Sequence, residues 1–261
     1  MNMDVDMQQV ISIVKDMRKY FMDTEKSQQI TFKGDIDFAT EADFSVQKEV
    51  QERLLAAWPD IQFMGEEKDN SGIDFTGAVW ILDPVDGTTN LVHRFGQSCV
   101  SLALSVNSVL ELGVVYNPFT DELFHAVRGK GAFLNGKPIH VSAAARMKEA
   151  LISVGTAPYY HELADQNFQR MKRIFLDCQD IRRLGSAALD LCYVACGRTD
   201  AYYEPNINPW DYGAGALMVM EAGGCVTDFE GGAVPMDRRC CVVAGTPKIH
   251  SLMVEQYMRC Q

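Results

Sequence analysis

The residues best suited to chemistry are carboxylates in three short segments. In WILDPVDGTTN, residues 80–90, an apolar run leads directly into Asp83, and Pro84 keeps Asp83 in an extended conformation. The chain then turns through Asp86 and Gly87. Gly87 lets a ligand approach the backbone, and the N–H groups of Gly87, Thr88 and Thr89 can face an anion if a helix begins there. Two carboxylates beside an anion-binding turn suit a site that holds metal ions and phosphate together. Taken alone, the same segment is equally a tight Asp-Gly turn that Asp83 merely caps. FMGEEKD, residues 63–69, also places acids, Glu66 and Glu67, after a short apolar run; in isolation it is a solvated loop. NPWDYGAGALMVMEAGG, residues 208–224, sets Asp211 before a run of small residues, where it could simply favour a helix N-terminus. The combination is what these plain readings leave unexplained. Three separated acidic sites supply the hard oxygen ligands that magnesium prefers. Phosphate-ester hydrolysis uses such ligands: in typical two-metal sites ions about 3.5–4 Å apart activate a water and stabilise the departing oxygen.

The elements that must position these acids can be read from periodicity. Val10, Ile13, Val14, Met17 and Phe21 give residues 4–22 a helical apolar face. The polar stretch 24–37 is an exposed connection or hairpin. Thr40 with Asp43 three residues later predicts a helix start, and that helix runs to about Trp58, with Pro59 marking its end. Short apolar runs at 61–64 and 78–82 predict buried strands. Runs at 100–106 and 110–116 flank a turn at Asn107 and Ser108, and 123–127 adds another strand. Beyond residue 150 the pattern alternates. Strands fall at 151–154, 180–183 and 201–203, and helices near 161–176, 186–196 and 210–222. Strand-like 225–228 and 241–244 precede a last helix from about Pro247. A strand-rich first half and an alternating second half imply a layered α/β arrangement. No internal repeat and no long linker divides the chain.

Composition narrows the function classes. The chain has 261 residues, 47% of them hydrophobic, and a formal net charge of −11. Such acidity repels nucleic-acid backbones unless a local basic patch intervenes, and the densest basic runs are only the pairs Arg182, Arg183 and Arg238, Arg239. Bound cations would reconcile an acidic protein with a phosphate ligand. Eight cysteines include no C-x-x-C pair, and five histidines show no zinc-ligand spacing. The start MNMDVDMQQV lacks the features of an export signal, and no apolar run is long enough to span a bilayer. Free thiols in such a chain predict a cytoplasmic protein without membrane contact or direct nucleic-acid binding.

GEE at 65–67, DPVDGTTN at 83–90, LGSAALDLC at 184–192 and PWDYGAG at 209–215 occur in an order and spacing that resembles the inositol monophosphatases, within the magnesium-dependent, lithium-sensitive phosphatases. The resemblance covers nearly the whole chain. It implies a single domain over 1–261, an α+β layered sandwich of alternating helices and sheets, with an N-terminal lobe of about 1–145 and a C-terminal lobe of about 146–261. It implies Mg²⁺ as cofactor and a homodimer. Glu66, Asp83 and the main-chain carbonyl of Val85 are similar to the ligands of a first metal; Asp83, Asp86 and Asp211 are similar to those of a second. Thr88 resembles the threonine that helps a motif glutamate, here Glu66, activate water, and Asp43 the aspartate that supports that threonine. Gly87, Thr88 and Thr89, with Asp86, match the phosphate-side contacts. Glu204 matches the acid that meets inositol hydroxyls, beside Gly185 and Ala187. Two departures stand out. His93 and Arg94 lead into Phe95 and Gly96 where relatives often have a proline-aromatic pair. The N-terminal loop holding Lys33, which helps to hold a third, weaker metal in the family, is about one residue shorter.

The implied substrate is a small phosphate monoester, myo-inositol 1-phosphate before others. Relatives with the same core act on fructose 1,6-bisphosphate, 3′-phosphoadenosine 5′-phosphate, histidinol phosphate or NADP, and the shared metal site does not choose among them. Nucleotide-directed relatives carry added segments for a base, for which this length leaves little room. Glu204 also suits a second phosphate poorly unless a basic residue neutralises it. A reading of another class is a regulatory protein that binds the transcription machinery, as some bacterial relatives do. The retained Glu66, Asp83, Asp86, Thr88 and Asp211 favour catalysis.

Overall fold

The computed structural model describes residues 5–32 and 38–258; Lys33 and Cys260 lie outside them. The first half contains α1 (Met7–Asp16), α2 (Arg18–Met22), β1 (Ile30–Phe32), β2 (Phe38–Thr40), α3 (Glu41–Ala57), β3 (Gln62–Gly65), β4 (Ala78–Asp86) and the short α4 (Thr88–Val92). Strands β5 (Cys99–Val106), β6 (Val109–Asn117), β7 (Glu122–Val127), β8 (Ala132–Leu134) and β9 (Lys137–Ile139) follow. The second half has β10 (Leu151–Val154), α5 (Ala164–Asp177), β11 (Asp180–Arg182), α6 (Ala187–Ala195), β12 (Ala201–Ile207) and α7 (Pro209–Glu221). It closes with β13 (Cys225–Thr227), β14 (Cys240–Gly245) and α8 (Pro247–Met253).

Strands β3 to β9 form a seven-stranded sheet in sequence order, antiparallel except for the β3–β4 pair. The second sheet has five strands in the order β11-β10-β12-β14-β13. Alternation along β4 divides its side chains between two cores. Trp80 and Leu82 share one core with Val10 and Val14 of α1 and Val46 and Val50 of α3, whereas Val79 and Ile81 belong to the core on the other face. Between the sheets lie α6 and α7, where Leu191, Cys192 and Leu217 pack with Ala103 on one side and Tyr202 and Ala244 on the other. Helices α5 and α8 cover the outer face of the second sheet through Ile174, Ile249 and Met253. The result is a layered α/β sandwich in the order helix, sheet, helix, sheet, helix.

Both sheets have helices on two faces where it matters, which explains the unbroken burial of Cys99–Ser105 in β5. The middle layer demands small residues. A side chain at Gly113 of β6 would meet the Ala214 carbonyl oxygen at 3.0 Å, so this glycine lets α7 lie close on the sheet.

Several elements differ from the sequence expectation. The helix expected over 4–22 divides at Met17 into α1 and α2, and residue 4 lies outside the described residues. The expected 161–176 helix begins as a 3-10 turn, His161–Leu163, before α5. The glycine-punctuated segment after β7 forms the β8–β9 hairpin. In the 24–37 stretch a 3-10 turn, Lys26–Gln28, precedes β1, which pairs antiparallel with β2. The strand expected to end at Leu82 continues to Asp86, which changes how the acids are placed. All seven described cysteines are free. No described helix is long and apolar enough to cross a membrane.

Candidate active site

Asp83 and Asp86 stand within β4 rather than beyond it. Three residues apart on a regular strand, they would point to opposite faces. The pairing with β5 prevents this: Asp83 opposes Ser101 and Asp86 opposes Cys99, so three steps on β4 match two on β5. This bulge, at Pro84 and Val85, turns both carboxylates to one face. Proline is tolerated there because it offers no N–H to the ladder.

Asp83 is buried, and its one hydrogen-bond donor among the described residues is the Val85 N–H, 3.0 Å from Oδ1. Burial holds its carboxyl well above the usual carboxylate range, and Glu66, Asp86, Asp211 and Asp43 push it further. The structure thus brings all five predicted acids into one neighbourhood. They arrive from four parts of the chain: Asp83 and Asp86 on β4, Glu66 just after β3, Asp211 on α7 and Asp43 on α3. Glu66 follows β3, where its N–H donates to the Leu82 carbonyl at 3.2 Å, beside Asp83. Asp211 sits in the first turn of α7 and completes a capping box with Asn208, accepting its N–H at 2.6 Å. Ser101, the neighbour of Asp83 on β5, donates to the Trp210 carbonyl and ties that helix start to the strand. Desolvation, then Glu66 and Asp86, raise Asp211 well above the usual range. Asp43 completes the same kind of box on α3: its Oδ2 accepts the Thr40 N–H and hydroxyl at 2.8 and 2.6 Å. Capping and site roles coincide at both helices, because the cap fixes the rotamer that aims the carboxylate.

Asp86 has the opposite environment. Its carboxylate accepts from the Ser186 hydroxyl at 2.6 Å, the Ala188 N–H at 2.7 Å, the Ala187 N–H at 3.3 Å and the Cys99 thiol at 3.8 Å. The N-terminus of α6 encloses it, as a helix start readily does for an anion. Burial raises Asp86 to about 6, against the lowering effect of these donors. Ala187, which the resemblance places on the sugar side, spends its N–H on Asp86.

Thr88 opens α4. Its Oγ1 lies 3.2 Å from Asp43 Oδ1 and 3.0 Å from the Val85 carbonyl oxygen, so its single proton has two acceptors. Gly87 precedes it with φ 88°, and a Cβ there would meet the Gln97 carbonyl at 2.8 Å. The first turn of α4, with Thr88 half-buried and Thr89 exposed, has N–H groups without intrahelical acceptors. Asn90 joins this turn to Gly185 by donating to the Gln97 and Leu184 carbonyls, both at 2.7 Å.

Glu204, buried on β12, lies within electrostatic reach of Asp86 and Asp211. Its oxygens accept from Tyr202 and from the Ala157 N–H. Burial raises it, while these donors and the nearby Arg183 lower it. Arg183 also donates to Thr156 Oγ1 at 2.8 Å. The sequence reading missed Asp190, buried on α6 and held well above the usual range by burial. A lone acid inside the apolar run AALDLCYVA was its signal.

Among the described residues no three histidine, cysteine, aspartate or glutamate side chains close into a ready metal cage. The donor chemistry nevertheless fits a hard cation. Asp83 is buried with one donor among the described residues, and its leading electrostatic neighbours are all carboxylates. Magnesium uses few carboxylates per ion and keeps several waters, so a closed protein cage is not required.

A model of the inositol monophosphatase family matches residues 2–261. An inositol monophosphatase of Dictyostelium discoideum is 37% identical over 267 residues, covering 97% of each chain. A Nus factor SuhB of Xylella fastidiosa is 39% identical over 226 residues, 84% of this chain and 82% of that protein. The crystal structure of the extragenic suppressor protein suhB from Bartonella henselae superposes with a TM-score of 0.89 at 35% identity, covering 97% of this chain and 98% of that one.

Proposed function

Since the chain belongs to the inositol monophosphatase family, we propose that it hydrolyses a small polyol phosphate monoester, myo-inositol 1-phosphate above others, in a magnesium-dependent reaction. The observation that carries the metal dependence is Asp83, buried among carboxylates with a single donor among the described residues. Glu66, Asp83, the Val85 carbonyl, Asp86 and Asp211 would hold the magnesium. When bound, magnesium supplies Lewis-acid activation of water and neutralises charge on the phosphate.

The chain's own residues do the rest. Asp43 accepts the Thr88 proton, which leaves the Thr88 oxygen lone pairs to receive a hydrogen bond from the attacking water. Glu66 takes the proton of that water as its oxygen bonds to phosphorus. The ester oxygen departs with its bond pair and takes a proton from solvent water, giving the free alcohol, while Glu66 returns its proton to solvent. The α4 turn at Gly87, Thr88 and Thr89 binds phosphate oxygens through backbone N–H groups. Glu204 accepts hydrogen bonds from vicinal hydroxyls of the polyol, a contact that a second phosphate would oppose by like charge.

A phosphate-release screen across inositol phosphates, sugar phosphates and nucleotides, with magnesium present, tests this reading. The highest kcat/KM is expected on myo-inositol 1-phosphate. A clear preference for a bisphosphate or a nucleotide would overturn the substrate assignment and leave the metal chemistry standing.

A further inference from the structure

Glu204 is held on both oxygens. Tyr202, two residues earlier on the same face of β12, donates its hydroxyl to Oε2 at 2.5 Å. That length belongs to a charge-assisted O–H···O⁻ bond. The Ala157 N–H donates to Oε1 at 2.8 Å. Ala157 is buried and has φ 45°, a conformation that a non-glycine residue keeps only where its surroundings enforce it. Gly155 completes the enclosure, because a Cβ there would run into the Glu204 side chain. Each carboxylate oxygen has two acceptor directions. One on each is taken by the protein, which fixes the plane of the group and leaves the others for a ligand.

We propose that Tyr202 is a positioning residue: its hydroxyl fixes the Glu204 carboxylate in the orientation that meets polyol hydroxyls, and so sets the preference for polyol phosphates over simple esters. The proposal rests on the reading of Glu204 as a polyol contact. The plain alternative is that Glu204 only satisfies a buried phenol, since a buried tyrosine hydroxyl ordinarily finds a partner.

The two are separated by steady-state kinetics on myo-inositol 1-phosphate and 4-nitrophenyl phosphate at one magnesium concentration. Tyr202→Phe keeps the ring and removes the donor. It should raise KM for the inositol ester roughly ten-fold, the scale of one charge-assisted hydrogen bond, with kcat and the nitrophenyl ester little changed. Glu204→Gln should show the same selectivity, and adding Tyr202→Phe to it should cost nothing further on the inositol ester, because coupled residues are not additive. Selective loss in Glu204→Gln with full selectivity retained in Tyr202→Phe would overturn the positioning role alone. Equal loss on both substrates in Glu204→Gln would overturn the polyol reading beneath it. If Tyr202→Phe does not fold by itself, the double variant carries the test: its selectivity should match Glu204→Gln, and an added loss on the inositol ester would contradict the proposal.

Discussion

Asp83 and Asp86 lie on the same strand, share a face and are both buried, yet their surroundings are opposite. Among the described residues Asp86 has four donors, three of them at the start of α6. Asp83 has one donor among them, and its leading electrostatic neighbours are carboxylates. Asp86 is largely satisfied by the fold and anchors a helix to a sheet across a hundred residues of sequence, so that it would share its carboxylate between helix and cation. Asp83 is left to be satisfied by something the fold does not supply. Burial alone therefore does not show which acid depends most on a cation; the count of donors among the described residues does.

The largest expected effect is on turnover. Asp83→Asn should lower kcat on any phosphomonoester by at least about a hundredfold, the scale of removing one charge-stabilising group from an active site. Circular dichroism should show the variant folded. Activity near the wild-type level in folded Asp83→Asn would give Asp83 a purely structural role.

Stability without metal should then split the pair in sign. Asp83→Asn relieves a charge surrounded by like charges, so the chelated variant should unfold at higher temperature than chelated wild type, by roughly 1–2 kcal/mol. Asp86→Asn sets an amide among donors and should lose roughly 1–3 kcal/mol. Scanning calorimetry in excess chelator measures both. Shifts in the same direction would erase the distinction.

A pH series sharpens it. Burial and neighbouring carboxylates raise Asp83, and burial raises Asp86 to about 6. A carboxylate raised on folding binds more protons in the native state. Its stabilising contribution is full below about 4, its unfolded value, and is lost as pH rises through the folded value. The urea midpoint of metal-free protein should consequently fall between pH 5 and 7, by the equivalent of roughly 1–3 kcal/mol. Saturating magnesium should flatten the slope, since it binds the ionised site. A midpoint that climbs with pH in chelated protein would contradict the assignment of the shifts.

The smallest effect belongs to the link between the two lobes of the site. Asn90→Ala deletes two side-chain hydrogen bonds, to Gln97 and Leu184, and should cost about 1–2 kcal/mol by denaturant unfolding. No measurable cost would mean that the α4 turn and the Gly185 loop are held together by packing alone.

Much of this was legible in the sequence because it depends on local pattern. Thr40 with Asp43 marked a helix start, and apolar runs marked most strands of both sheets. The acidic segments were visible as carboxylates following apolar runs. What was not legible depends on contacts between distant residues. Asp-Pro-Val-Asp looks like the end of a strand, since acids and proline ordinarily end one. Only the pairing with Ser101 and Cys99 reveals the bulge that turns both acids to one face. The donors on Asp86 come from Ser186, Ala187 and Ala188, which no local pattern connects to it. Tyr202 was hidden for the same reason, as its hydroxyl could have served any buried acceptor. The break at Met17 escaped because the apolar spacing of α1 and α2 continues across it.

Phosphate release from myo-inositol 1-phosphate, followed while magnesium is titrated into exhaustively chelated protein, tests most directly whether the acids around Asp83 exist to hold cations. The expected curve starts at no turnover and rises saturably with magnesium. Calcium, larger and less demanding of octahedral geometry, should compete without supporting efficient turnover. Full hydrolysis in the presence of chelator would contradict a metal-dependent site at Asp83.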